Sequence, residues 1–182
     1  VPVAINIENG IAAMALAQLS GVSNEDIKTG MASFRGVDRR FDFKIKTDKV
    51  VYLSDYAHHP EEIKQSILSM RALYGDKKLT GIFQPHLYTR TRDFYQEFAE
   101  SLSLLDEVIL TDIYPARELP IEGVSSQLIY DNLRPDIDKI LCTKEEVIDI
   151  LKKKEIEVLM TLGAGDIENY APQICEILNE RC

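Results

Sequence analysis

The sequence predicts an α/β fold: a doubly wound, mostly parallel sheet with a β-hairpin at its start and a helical pair ahead of it. Two patterns carry that prediction. From residue 50 onward, short apolar runs alternate with longer stretches whose apolar residues recur at helical spacing. Strands alternating with helices of this length demand βαβ crossovers and a sheet covered on both faces. The second pattern is where the unusual residues fall: all three histidines, with Arg90, Arg92 and Arg117, lie in the loops that follow apolar runs. In an open α/β sheet the carboxyl ends of the strands are where ligand groups gather.

Taken in order, Asn6 to Leu19 places Ile7, Ile11, Met14, Ala15 and Leu19 on a helical period, and Ser20-Gly21 stops it. Ser23 caps a second helix, with Asp26 three residues on as a weak capping box and Ile27, Met31 and Phe34 on one face. No strand precedes residue 41, so the apolar faces of this pair either cover the later sheet or belong to a domain whose remainder lies elsewhere. Phe34 to Arg40 reads as a charged linker bent at a glycine. Phe41 to Lys46 then alternates apolar and polar, Thr47-Asp48-Lys49 turns the chain, and Val50 to Leu53 is apolar: a hairpin or two successive strands. The remainder repeats one theme, with helices expected at 60–74, 91–105, 125–133, 144–153 and 166–179 and strands at 79–83, 107–111, 139–142 and 158–162. The layout is Rossmann-like.

Composition narrows the function. With 21 Lys plus Arg against 30 Asp plus Glu, the net charge of -9 excludes general nucleic-acid binding, and any anion must be held by a local cluster. Nothing resembles a signal peptide or a membrane span, so a cytoplasmic protein without membrane insertion is expected. Cys142, Cys175 and Cys182 form no C-x-x-C pair and are expected to be reduced thiols, Cys142 buried in a strand.

Three loops carry the candidate chemistry. In Asp55-Tyr56-Ala57-His58-His59-Pro60 the proline suits a first helical turn. There Asp55 either caps a turn, with the histidines solvated, or accepts hydrogen bonds from ligand hydroxyls or metal-bound water while His58 or His59 faces a substrate. Adjacent histidines diverge and only His86 is available as a third imidazole, so a zinc site is not expected. Ile82 to Asp93 sets out His86, Tyr88, Thr89, Arg90, Thr91 and Arg92 just before a helix. Two cations at a helix N-terminus oppose the macrodipole and call for an anion, which a guanidinium grips with two parallel hydrogen bonds. Gly163-Ala164-Gly165-Asp166 lacks the third glycine of a dinucleotide turn and reads as a tight strand-to-helix turn with Asp166 as N-cap. No G-x-x-x-x-G-K-[ST] occurs, so the chain cannot by itself cradle nucleotide phosphates in the P-loop manner.

In their order, Arg39-Arg40-Phe41, DYAHHP at 55–60, Phe83-Gln84-Pro85-His86-x-Tyr88-Thr89-Arg90-Thr91 and Gly163-Ala164-Gly165-Asp166-Ile167 resemble the carboxyl-terminal third of the Mur ligases, and the Q-P-H-x-Y-T-R-T segment resembles their alanine-adding branch. Asn6-x-x-Asn9-x-x-Ala12 resembles the tail of the family's central ATPase domain, which assigns residues 1–34 to that domain and 35–182 to the amino-acid-binding domain. The resemblance implies a three-domain parent in which ATP phosphorylates the carboxylate of UDP-N-acetylmuramate and the amine of L-alanine attacks the acyl phosphate. It implies that ATP and Mg2+ are held mainly by the central domain, that the partners are the parent's own central and N-terminal domains, and that this piece alone is inactive. By resemblance, Arg40 and Asp55 reach ATP, and Tyr56, His58, His86 and Arg90 line the alanine pocket, with Arg90 on the carboxylate. Leu87 stands where many relatives have arginine, so a second cation is either missing or supplied by Arg92 or Arg117; Ile5 stands where a histidine is usual. The alternatives are a relative that recycles a murein peptide onto UDP-muramate, and a non-catalytic anion-binding module of the same fold.

Overall fold

The computed structural model describes residues 4–34 and 36–181, without the side chains of residues 4–6; the expectations for Ile5, for the Asn6 side chain and for Cys182 lie outside the described residues. The chain divides into two compact units, Val1–Asp38 and Arg39–Cys182.

The first unit is a helical pair, α1 (Ala4–Leu19) and α2 (Asn24–Ser33). Ser23 caps α2 as expected, its hydroxyl oxygen accepting from the Asp26 backbone N–H at 3.1 Å. Ile7, Ile11, Leu16, Leu19, Met31 and Phe34 are all exposed. Two short helices cannot bury so many large side chains against each other.

The second unit opens with the hairpin, β1 (Asp42–Lys46) antiparallel to β2 (Val51–Asp55). Its turn closes on Thr47, whose hydroxyl donates to the Val50 carbonyl at 2.9 Å and accepts from the Val50 N–H at 3.0 Å. Then follow α3 (Pro60–Leu73), β3 (Leu79–Phe83), α4 (Tyr88–Leu102), β4 (Glu107–Leu110), α5 (Gln127–Asn132), β5 (Asp138–Leu141), α6 (Val147–Lys152), β6 (Val158–Leu162) and α7 (Ala171–Asn179). The six strands lie in the order β1-β2-β6-β3-β4-β5, parallel except for β1.

Strand composition matches strand position. The residues of β3, β4 and β6 are buried throughout, as strands covered on both faces require. On one face Tyr52, Ile82, Ile109 and Leu159 form a core with Leu151, Ile174 and Leu178 of α6 and α7. On the other, α3, α4 and α5 pack in sequence, and Phe83 meets Phe98 of α4 at 5.2 Å between ring centroids. Each such fully buried side chain contributes roughly 1.5–3 kcal/mol. Edge strand β5 is only partly covered, so Cys142, just past its end, is half-buried rather than interior to a strand as expected; burial still pushes its thiol up to about 11.

One placement matters for the site. The last strand, β6, is inserted between the first two parallel strands, so the turn after β6 lies between the loops after β2 and β3. Three loops distant in sequence thereby meet at one point on the carboxyl edge.

Candidate functional site at the carboxyl edge

The loop after β2 leaves the sheet at Asp55. Its carboxylate turns inward: Oδ1 accepts from the Ala57 N–H at 3.3 Å and Oδ2 from the Ser66 hydroxyl of α3. Burial pushes this carboxyl above its usual range, against the opposing hydrogen bonds from Ser66, Phe41 and Ala57. Tyr56 and His58 point the other way. The Tyr56 ring lies 4.8 Å from the Arg39 guanidinium carbon and 5.8 Å from that of Arg40, and packs edge-on against His58 at 5.2 Å. His58 Nδ1 lies 2.9 Å from the Tyr56 carbonyl oxygen, which can only accept, so Nδ1 carries the proton. His59 departs from this row: it is the N-cap of α3 and its ring lies 5.1 Å from that of Phe94 on α4. The backbone N–H groups of both histidines donate to Glu62 Oε2, at 3.0 and 3.2 Å, which fixes where the pair divides.

The loop after β3 brings His86 to within 6.1 Å of His58, centroid to centroid. His86 stacks on Tyr114 from the loop after β4, at 5.6 Å and 24° between planes. Backbone pairing fixes that stack, since Tyr114 N–H donates to the Pro85 carbonyl at 2.8 Å and Leu87 N–H to the Tyr114 carbonyl at 2.9 Å. Arg90 Nη1 lies 3.4 Å from His86 Nδ1. A guanidinium can only donate, so Nδ1 accepts and the imidazole is neutral with its proton on Nε2. Burial, and then the charges of Arg90 and His58, hold His86 below the usual imidazole value, against a weaker opposing pull from Glu118. The Nδ1 atoms of the two histidines thus play opposite parts, that of His58 donating and that of His86 accepting.

Arg90 and Arg92 differ in setting. Helix α4 begins at Tyr88, three residues before the expected start, because Leu87 with φ 76° turns the chain abruptly into it. Both arginines are therefore helical. The anion that this N-terminus calls for comes from the chain itself: Glu118 Oε2 accepts from the Thr89 N–H at 3.0 Å, and the Thr89 hydroxyl also donates to the carboxylate. These bonds hold the Glu118 carboxyl below its usual range. Arg92 faces solvent and pairs with Asp93 at 2.7 Å. Arg117 is exposed.

The turn after β6 corrects one expectation. Asp166 opens a 3₁₀ segment, Asp166–Tyr170, but its side chain makes no cap there. It accepts instead from Gln84 Nε2 at 2.7 Å and pairs with Lys144; although burial acts to raise it, these two hold its carboxyl low. The side chain reaches across the turn rather than back along it because Gln84, 2% exposed, needs an acceptor.

Of the six residues expected to bind ligands, Arg40, Tyr56, His58, His86 and Arg90 stand along one rim, while Asp55 lies beneath it with its carboxylate engaged internally. Arg39 and Tyr114 belong to the same rim and were missed. Arg39 stands beside a residue that was chosen, and Tyr114 follows a strand in a loop already noted, but only tertiary structure shows that each lies on a ring of the row. Among the described residues no group of three or more His, Cys, Asp or Glu side chains could hold a metal ion, and no helix is long and apolar enough to cross a membrane.

A doubly wound sheet whose carboxyl edge presents two imidazoles and three guanidiniums among aromatic rings is suited to holding a small anionic ligand, and the comparisons fit that class. A family model described as Mur ligase, glutamate ligase domain, matches residues 39–167, and the chain belongs to this family. It is 78% identical over its full length to a UDP-N-acetylmuramate–L-alanine ligase of Phocaeicola vulgatus and 52% identical to one of Porphyromonas gingivalis, and it spans about 40% of the length of each. The crystal structure of the UDP-N-acetylmuramate–alanine ligase MurC of Thermotoga maritima matches with a TM-score of 0.81 and 26% identity, over 100% of this chain and 39% of that one. The MurF ligase of Thermotoga maritima in complex with ADP shares the fold, with a TM-score of 0.65 and 20% identity over 94% of this chain and 38% of that one. The expected family and fold are both borne out.

Proposed function

We propose that the chain is the carboxyl-terminal part of an ATP-dependent ligase that joins L-alanine to the carboxylate of UDP-N-acetylmuramate in peptidoglycan synthesis. In this reading residues 1–34 are the helical tail of the central ATPase domain and 35–182 the amino-acid-binding domain. The exposed apolar side chains of α1 and α2 support the first assignment, since a helical pair so uncovered is suited to a larger body.

One observation carries the substrate: Arg90 and His86 stand 3.4 Å apart, opposite His58 and Tyr56, with no carboxylate paired to Arg90 among the described residues. A guanidinium held by a neutral imidazole keeps donors free for the alanine carboxylate. His86 Nε2–H is a further donor, and the His58 ring stands across from it as part of the pocket wall. Tyr56 walls the pocket. Arg40, exposed and laid over a ring, retains its in-plane N–H groups for a phosphate of ATP. Asp55 would reach the nucleotide by exchanging one of its internal donors. Mg2+ and most of the ATP contacts belong to the central domain, and the setting is the cytoplasm.

The full-length protein, given ATP, Mg2+ and UDP-N-acetylmuramate, is expected to release phosphate on addition of L-alanine, and the 182-residue chain alone to release none. Phosphate release indifferent to alanine would overturn the reading.

A further inference from the structure

The motif residue Gln84 touches no group of the proposed pocket, yet it is 2% exposed and bonded at both ends of its amide. Nε2 donates to Asp166 Oδ1 at 2.7 Å, and Oε1 accepts from the Ile167 N–H at 2.9 Å. Its backbone N–H donates to the Leu162 carbonyl at 3.1 Å, the last ladder position of β6 against β3. An apolar residue would serve a strand end more cheaply than a buried amide, whose burial costs roughly 1–3 kcal/mol when its partners are lost.

What Gln84 grips explains its presence. The turn 163–166 is built to lie against it: a Cβ on Gly163 would approach the Gln84 carbonyl oxygen to 2.7 Å, and a Cβ on Gly165 would overlap Gln84 Oε1 and come within 2.8 Å of Tyr114 Cβ. Gly163 also holds φ 137°, open to glycine alone. The far side of the same turn carries the other half of the rim, since Arg39 Nη2 donates to the Gly165 carbonyl at 3.4 Å while its guanidinium lies over Tyr56. Two residues beyond Gln84 stands His86, stacked on Tyr114.

We infer that Gln84 is a positioning residue: by tying the turn after β6 to the end of β3 it sets the separation between the Arg39–Tyr56–His58 half of the rim and the His86–Tyr114–Arg90 half. The inference deepens the proposed function and rests on it for its substrate. Gln84→Leu removes both side-chain bonds at similar volume, and Gln84→Glu sets a carboxylate against Asp166. Pairing Gln84→Glu with Asp166→Asn restores one donor and one acceptor with their roles exchanged.

In the full-length ligase, Gln84→Leu and Gln84→Glu should raise KM for alanine about tenfold while KM for ATP stays within about twofold, and the Gln84→Glu/Asp166→Asn pair should recover most of the loss. Asp166→Ala, at a partly exposed position, should move the alanine constant in the same direction even if the Gln84 variants fold poorly. In the 182-residue chain, the imidazole NMR signals of both His58 and His86 should shift in Asp166→Ala; this readout judges Gln84 even if the wild-type ligase proves indifferent to alanine. Unchanged alanine constants, equal rises for alanine and ATP that track a lowered Tm, or unmoved imidazole signals would each overturn the inference.

Discussion

The two edges of the sheet hold the same kinds of side chain and treat them oppositely. At the amino edge Glu107, 2% exposed, accepts from the Thr80 hydroxyl at 3.1 Å and pairs with Lys154 and with Lys78, the latter at 3.3 Å. Lys78 also meets Asp138 at 3.1 Å, and Asp106 accepts from the Leu79 N–H while pairing with Arg71 at 3.0 Å. Each of these charges is closed on another of opposite sign. At the carboxyl edge Arg39 and Arg40 lie over a tyrosine, Arg90 meets a histidine, and among the described residues no carboxylate side chain pairs with any of the three guanidiniums. A guanidinium stacked on a ring keeps its in-plane donors, whereas a paired one has spent them. Closure on itself marks the edge that holds the fold, and donors left over mark the edge that holds something else.

The largest expected effect tests the closed edge. Glu107→Ala takes the shared carboxylate from Lys154 and Thr80 and leaves Lys78 to Asp138; with both lysines partly in solvent, loss of this buried, charge-assisted set costs about 2–3 kcal/mol. Denaturant unfolding of the 182-residue chain should show that loss, and any full-length protein that still folds should keep its KM for alanine. A raised alanine constant with intact stability would break the contrast between the edges.

Arg90→Ala is the mirror experiment. Losing a charge-assisted carboxylate grip should raise KM for alanine about 10- to 100-fold, with KM for ATP nearly unchanged and unfolding little affected. A stability loss to match that of Glu107→Ala would mean that Arg90 belongs to the fold.

How much of this was legible in the sequence depends on range. Strands β2, β3, β4 and β6 announced themselves because buried strands need unbroken apolar runs, and the rim was visible because histidines and arginines do not otherwise gather after such runs. The insertion of β6 between β2 and β3 was not visible, since strand order depends on pairings among segments about a hundred residues apart. Glu118 capping α4 from 29 residues away escaped for the same reason, and with it the true start of that helix, because Leu87 carries no capping side chain. Asp166 looked like an N-cap because its local signal is the usual one; a buried glutamine just past the end of β3 claimed it instead.

A pH experiment separates the edges at smaller amplitude. His86 is held below the usual imidazole value of about 6.5, mainly by burial, so as pH falls through that value the unfolded chain takes up a proton that the folded chain resists. Stability should therefore decline from neutral toward mildly acidic pH, and His86→Gln should remove that part of the decline. Asp106 at the closed edge is held low by the Leu79 N–H and Arg71 despite burial, so its contribution is present above the ordinary carboxylate range and fades only in stronger acid. A His86→Gln variant with an unchanged slope between pH 7.5 and 5.5, a window of roughly one unit either side of an ordinary histidine, would place the acid sensitivity elsewhere.

The smallest expected effect is the most discriminating, because it concerns two arginines of one helix turn. Arg92 is exposed and paired with Asp93, whereas Arg90, two residues earlier, faces His86. Side chains two apart on a helix diverge by about 200°, so the two cannot grip one carboxylate together. Arg92→Ala should therefore leave KM for alanine within about twofold of wild type and leave Tm unmoved, since exposed pairs contribute little. If Arg92→Ala instead raised the alanine constant as far as Arg90→Ala does, the Arg92–Asp93 pair would have to open on ligand binding. The carboxylate grip would then be shared between Arg92 and Arg90 rather than left to Arg90 alone.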